Sequence, residues 1–127
     1  MLWNANGIQK HKNELQLVLN TQNINICLIA ETHFTKQSYF KIPMFEIYFT
    51  IHPRNCARGG SAILVRSAIK HHEDQKICTE EFQATSIAIN INGQQLNIAA
   101  VYSPPRHNIK YDQYKEFFQQ TGERFIM

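Results

Sequence analysis

The segment TSIAININGQQLNIAAVY, residues 85–102, constrains the fold of this chain more than any other. Asn92 and Gly93 are the pair that a two-residue type I′ hairpin turn demands, because both central positions need a positive φ. With the turn placed there, Ile89 faces Leu96 and Ile87 faces Ile98, so every such pair is apolar on one face. Turn chemistry and hydrophobic register agree, which commits the chain to an antiparallel sheet lying on a core. The prolines at 104 and 105 then end the second strand, since neither can donate to a ladder.

The rest of the chain supplies elements to pack around that hairpin. Leu2-Trp3 ends a short strand. IQKHKNELQLVLNTQ, residues 8–22, sets Ile8, Leu15, Val18 and Leu19 at helical spacing, with Asn6 suited to cap the helix and Gly7 to permit the sharp entry. INICLIAET is a continuous apolar run closing on a carboxylate, the pattern of a strand buried on both faces. FEIYFTI and RGGSAILVRSA read as two further strands. KYDQYKEFFQQTG is an amphipathic helix with Tyr114, Phe117 and Phe118 inward, stopped at Gly122, and ERFIM reads as a strand cut off part-way. Strand, helix, a run of strands with a tight hairpin, then helix and strand is not the regular alternation of a doubly wound fold. The order predicts an α+β sandwich with helices covering a largely antiparallel or mixed sheet. No repeat or linker interrupts the 127 residues, so residues 1–127 form one unit.

Composition narrows the partners. Apolar residues make up 43% and charged residues 18%, the profile of a globular protein. The apolar runs fall well short of the roughly 18 residues of a membrane span, and no basic-then-apolar leader opens the chain, so no membrane partner is expected. Cys27, Cys56 and Cys78 form no C-x-x-C pair and find no histidines at zinc spacing. They read as free thiols of a reducing compartment, nuclear or cytoplasmic. A net charge of +3 is compatible with nucleic acid without arguing for it alone. Arg54, Arg58, Arg66 and Lys70 bunch beside His71 and His72, a candidate nucleic-acid face that composition alone reads as a solvated surface.

Three polar residues share one placement: Asn4, Glu31 and Tyr102 each end a strand expected to be buried. Strand ends are where a site can be assembled from sequence-distant residues. A carboxylate there is costly unless solvated, paired or bound to a cation. Mg²⁺ is a hard ion often held by one or two carboxylates plus water and substrate phosphate, which suits Glu31, with Asn4 or Asn6 supplying an amide nearby. Each residue also has a plain reading: Asn4 and Asn6 as turn and cap, Glu31 as surface, Tyr102 as a buried ring with its hydroxyl out. Arg58-Gly59-Gly60 is likewise a turn more readily than an anion nest.

Taken in order, WNANGI, ICLIAETHFT, RGGSAILV and IAAVYSPPR resemble the endonuclease domain of non-LTR retrotransposons, particularly the jockey-like elements. That domain belongs to the endonuclease/exonuclease/phosphatase superfamily, which includes deoxyribonuclease I and the apurinic endonucleases. The resemblance covers almost the whole chain. It implies a four-layered α/β sandwich of the deoxyribonuclease I-like type, two packed sheets flanked by helices. It implies metal-dependent hydrolysis of a phosphodiester, the nicking of target DNA before reverse transcription, with Mg²⁺ as cofactor and Mn²⁺ as a substitute. DNA and a downstream reverse transcriptase of the same polyprotein are the implied partners. By motif, Asn4 matches the asparagine that hydrogen-bonds near the scissile phosphate, Glu31 the glutamate that binds Mg²⁺, and Tyr102 the tyrosine at the phosphate. Asn6 falls where some apurinic endonucleases have a metal-associated aspartate, while its own context reads as cap and turn. Arg54, Arg58 and Arg66 would act on the DNA backbone.

The family's Gly-Asp-Phe-Asn and Ser-Asp-His motifs do not occur in these residues, and the six histidines (His11, His33, His52, His71, His72 and His107) read as surface or loop residues. The sequence is therefore expected to be the N-terminal half of such a domain, an incomplete sandwich inactive alone. Two other readings stand beside it: a non-catalytic remnant that at most binds nucleic acid or a partner, and an apurinic endonuclease or phosphatase of the same superfamily.

Overall fold

In the computed structural model, which describes residues 1–104 and 125–126, the strands sort into two four-stranded sheets. The first sheet contains β1 (Leu2–Asn4), β2 (Ile26–Ala30), β3 (Phe45–Thr50) and β4 (Ser61–Arg66), in the order β1-β2-β4-β3. The second contains β5 (His71–Cys78), β6 (Gln83–Ile91), β7 (Gln94–Tyr102) and β8 (Phe125–Ile126), in sequence order. β1 runs parallel to β2 and β8 parallel to β7, and the other pairs are antiparallel. The β6–β7 hairpin has the register set by its turn, with Ile89 opposite Leu96 and Ile87 opposite Ile98. Asn92 and Gly93 take φ of 52° and 81°, the positive values a type I′ turn requires.

The apolar runs are explained by their central position. Along β4, Ala62 and Leu64 point to the face covered by helix α1 (Lys12–Thr21), while Ile63 and Val65 point to the second sheet. β2 divides the same way, Cys27 and Ile29 toward the helix side and Leu28 toward the other sheet. Ile87, Ile89, Ile98 and Ala100 meet them from β6 and β7. Helix, sheet and sheet thus form three successive layers. The predicted helix over residues 110–122, with Tyr114, Phe117 and Phe118, lies outside the described residues. Ile63→Val, which removes one methyl from the fully buried centre of this sandwich, is expected to cost about 1 kcal/mol, read as a shift of the urea midpoint at unchanged slope.

Toward one rim the layer between the sheets turns polar. The Thr85 hydroxyl lies 2.9 Å from those of both Thr50 and Ser61, and Thr50 donates to the Ala84 carbonyl at 3.0 Å. No buried side-chain polar atom among the described residues lacks a partner. Also among them, no helix is long and apolar enough to cross a membrane.

Three local expectations are corrected. The helix predicted from residue 8 is a 3₁₀ turn (Gln9–His11) followed by α1, and Asn6 caps neither, since no side-chain cap bond is made at either start. Asn6 and Gly7 instead reverse the chain at φ 45° and 91°. The amides of Gly7 and Ile8 are taken by the carbonyls of Glu31 and Thr32, at 2.8 and 3.2 Å, so the exit of β2 satisfies donors a cap would have served. HHEDQKIC, not read as a strand, is β5. It lies at the sheet edge with a register shift between Glu73 and Lys76, so it carries polar residues and a bulge where a central strand carries Val and Ile. The histidines also divide. His71 has only 3% of its side chain exposed, with Nε2 2.7 Å from the Glu46 carboxylate and Nδ1 2.6 Å from the Ile69 carbonyl. His52 is 2% exposed.

Candidate functional site

Chain direction brings the three strand-end residues together. β1 and β2 are parallel with Asn4 opposite Ala30, so both strands finish at one rim and Glu31 is the next residue out. β4 is antiparallel to β2 and starts at Ser61, opposite Ala30, so the Gly59-Gly60 pair that precedes it arrives at the same place. In the second sheet Tyr102 ends β7 opposite Gln83, the first residue of β6. The Asn92-Gly93 turn sits at the other end of those strands. At the rim the Tyr102 ring packs over the Gly59 position, and its hydroxyl lies within electrostatic reach of Glu31, so the end of β7 in one sheet meets the loop leaving the other. Glu31 and Tyr102 are half-buried, and Asn4 and Asn6 are exposed.

The backbone beneath is tightly fixed. Glu31 takes φ 59° and His33 φ 59°, and their amides donate to the carbonyls of Gly60 and Gly59 at 2.9 and 3.0 Å. Positive φ is uncommon outside glycine and costs about 1 kcal/mol or more, so these bonds hold Glu31 in a conformation it would not adopt freely. Gly60 and Gly59 leave no room: a Cβ on Gly60 would lie 2.5 Å from Thr32 Oγ1, and one on Gly59 2.6 Å from Gln83 Oε1 and 3.0 Å from the Tyr102 ring. The Gly60 amide points at Gln83 Oε1, 2.9 Å away, so it is turned inward and does not form an anion nest.

The electrostatics keep Tyr102 a phenol. Burial pushes its pKa above the ordinary 10.0, the nearby Glu31 carboxylate pushes it further, and Arg58 opposes them. A donor O–H is therefore present throughout neutral pH. Because the folded value is the raised one, the associated stability is fully present below the ordinary tyrosine pKa and is lost as pH climbs through the folded value. Glu31→Gln is expected to bring the Tyr102 titration down toward 10.0, seen by ultraviolet difference titration against Tyr102→Phe. His52, close by, is held below 6.5 by burial first and by Arg58 next. Its neutral Nδ1 accepts the Arg54 amide at 3.2 Å and lies 3.6 Å from Cys56 Sγ.

The basic residues do not form one face. Arg58 stands at this rim, within electrostatic reach of Tyr102 and His52. Arg54 shares its loop and is bonded to Glu80. Arg66 is at the other end of β4, about 17 Å along the strand. There its guanidinium donates to Asn25 Oδ1 and the Ile24 carbonyl at 3.1 and 2.8 Å, and covers the Phe45 ring at 4.7 Å. A strand intervenes between residues that sequence distance had grouped, so Arg66 serves the fold.

Sequence reasoning passed over Gln83. It is fully buried and bridges the Gly60 amide and the Thr79 carbonyl. Counting the hairpin register back from Asn92-Gly93 would have placed it opposite Tyr102. Among the described residues no group of three or more His, Cys, Asp or Glu is placed to hold a metal ion. Glu31 is the carboxylate at the end of β2, and Glu80, before β6, is paired with Arg54.

Comparison with known proteins identifies the family and the fold. Residues 1–126 match the model of the Endonuclease/Exonuclease/phosphatase family. The chain is 31% identical over 125 residues to the RNA-directed DNA polymerase from mobile element jockey of Drosophila melanogaster, a match covering 98% of this chain and 14% of that protein. The corresponding protein of Drosophila funebris matches equally, so the chain spans about one-seventh of the length of these curated relatives. Its fold is similar to that of the endonuclease domain of TRAS1, a telomere-specific non-LTR retrotransposon, with a TM-score of 0.68 at 15% identity over 98% of this chain and 55% of that one. It is also similar to the AP endonuclease LMAP from Leishmania major, with a TM-score of 0.63 at 10% identity over 81% of this chain and 38% of that one. The likeness drawn from the four motifs holds, and the two packed sheets are part of a deoxyribonuclease I-like sandwich. The chain belongs to the Endonuclease/Exonuclease/phosphatase family.

Proposed function

We propose that this chain supplies the N-terminal half of a Mg²⁺-dependent DNA endonuclease, which nicks target DNA for a jockey-like element. The observation that supports it most is the convergence of Asn4, Glu31 and Tyr102, each at the end of its own strand, on one rim. A half-buried carboxylate at an open rim suits a hard cation whose other ligands are water and phosphate oxygens. Glu31 would hold it, with Asn6 beside the Glu31 backbone. Mn²⁺ is accepted by the same oxygen donors. The bound ion supplies neutralisation of charge on the phosphate oxygens and the leaving alkoxide.

The chain's own groups contribute part of the rest. Tyr102 keeps its proton and donates to a phosphate oxygen, and Asn4 offers an uncharged amide donor from the end of β1. Fixed donors of this kind stabilise developing charge without reorganising. Arg58 attracts the DNA backbone with a salt-dependent contribution. Because the relatives are RNA-directed DNA polymerases, a reverse transcriptase in the same polyprotein is the proposed partner.

Nicking of supercoiled plasmid tests the proposal, with the chain alone and with it continued by the sequence downstream in its gene. Metal-dependent nicking by the continued chain and none by the chain alone is expected. DNA binding without hydrolysis by the continued chain would establish a non-catalytic remnant instead. Cleavage confined to abasic sites, or release of terminal phosphate alone, would move the assignment to an apurinic endonuclease or a phosphatase.

A further inference from the structure

We infer that Gln83 is a positioning residue for Glu31: through the Gly59-Gly60 loop it fixes the backbone that carries the Glu31 side chain at the rim beside Tyr102. The inference rests on reading Glu31 and Tyr102 as site residues. The connection is continuous and every link is a hydrogen bond. Thr79, in the turn before β6, accepts from Gln83 Nε2 at 2.6 Å, which fixes which end of the amide is oxygen. Gln83 Oε1 then accepts the Gly60 amide at 2.9 Å. The Gly60 and Gly59 carbonyls accept the amides of Glu31 and His33 at 2.9 and 3.0 Å, which sets the backbone from which the Glu31 side chain leaves.

Three features separate this from ordinary core hydrogen bonding. Gln83 is wholly buried in a strand whose other buried side chains are small or apolar, where a polar amide is costly unless both its ends are used. Its acceptor crosses from the second sheet to the loop entering β4 in the first, and no β-ladder joins those sheets. The loop it grips consists of two left-handed glycines, φ 58° and 88°, a pair with little intrinsic preference for one conformation. An external anchor is what a Gly-Gly hinge lacks, and Gln83 provides it. Gln83 touches neither phosphate nor metal in this arrangement; it acts through Glu31.

The test is local and independent of nicking. In the wild-type chain the Gly60, Glu31 and His33 amides should be protected from hydrogen exchange as one group, and a freely exchanging Gly60 amide would overturn the inference even if no variant folded. In Gln83→Met, which keeps the volume and removes the acceptor, those three amides should exchange about tenfold faster relative to the central strands, the worth of one such bond. The ¹³Cζ resonance of Tyr102 at pH 7 should move toward its position in Glu31→Gln, with no further movement in the double variant. Ile63→Val, a general destabilisation, should leave that resonance in place. A Tyr102 resonance unmoved in Gln83→Met but shifted in Glu31→Gln would sink the inference and leave the nuclease reading standing. Undiminished nicking by Glu31→Ala would remove Glu31 from the site and leave the Gln83 connection to these two spectroscopic results.

Discussion

Glu31→Ala in the continued chain is expected to lower metal-dependent nicking by about 10²–10³-fold, the scale on which removal of one preorganised stabilising group acts in hydrolytic sites. The loss should fall on chemistry and not on folding. Alanine at φ 59° is strained about as glutamate is, and the backbone bonds of residue 31 to Gly60 and Gly7 do not involve its side chain. The urea midpoint should therefore stay close to wild type while the rate collapses. Glu31→Gln should show the same loss with the side-chain volume retained, because an amide oxygen without charge is a poor ligand for Mg²⁺. The measurement is the first-order conversion of supercoiled to open-circular plasmid across a Mg²⁺ titration. A Glu31→Ala rate within threefold of wild type would remove Glu31 from the site.

The largest expected effect on stability belongs to Gly60→Ala. A Cβ at that position meets Thr32 Oγ1 at 2.5 Å and the Thr50 carbonyl at 3.2 Å, at a φ of +88°. Backbone strain of about 1–2 kcal/mol adds to an overpacking cost of about 1–3 kcal/mol, a loss of several kcal/mol from a domain whose total stability is typically about 5–15. Gly93 separates the two contributions. Its φ is +81°, yet a Cβ there meets nothing within 4 Å, so Gly93→Ala should pay the backbone cost alone, about 1 kcal/mol. Adding Thr32→Ala to Gly60→Ala should recover part of the loss by removing the crowded hydroxyl. Urea unfolding of the four chains gives the comparison directly, and equal losses at the two glycines would show that the Gly60 site relaxes freely.

The parts of this molecule legible in the sequence are those written in local chemistry. Asn92-Gly93 fixed a turn, the turn fixed the register, and the register holds pair by pair. The double-faced apolar runs of β2 and β4 marked central strands for the same reason. Polar edges were not legible: β5 reads as a loop because an edge strand draws on solvent for half its environment. Asn6 was read as a cap from residue type, whereas the amides it would have capped are claimed by a strand exit some 25 residues later, a non-local fact. At the rim, Asn4, Glu31 and Tyr102 are visible as strand ends, but their convergence depends on parallel pairing of β1 with β2 and on the facing of two sheets. The proximity of Arg54, Arg58 and Arg66 in the chain misled because β4 carries Arg66 to the opposite end. Gln83 was invisible because a lone glutamine at the start of a strand has no motif; its meaning lies in what it reaches.

The left-handed backbone at Glu31 bears on how copies of such a sequence decay. Positions with φ near +59° suit glycine or asparagine better than glutamate, so under the proposed function selection for nicking, and not folding, would hold the acid at position 31. When that selection lapses, nothing in the fold defends the carboxylate, and replacement by the smaller residues is neutral or favourable to stability. The buried glycine pair is defended by packing whether or not DNA is cut. Along a lineage of silenced copies, the acid should disappear while Gly59 and Gly60 persist, so the order in which these positions erode dates the loss of function separately from the loss of fold.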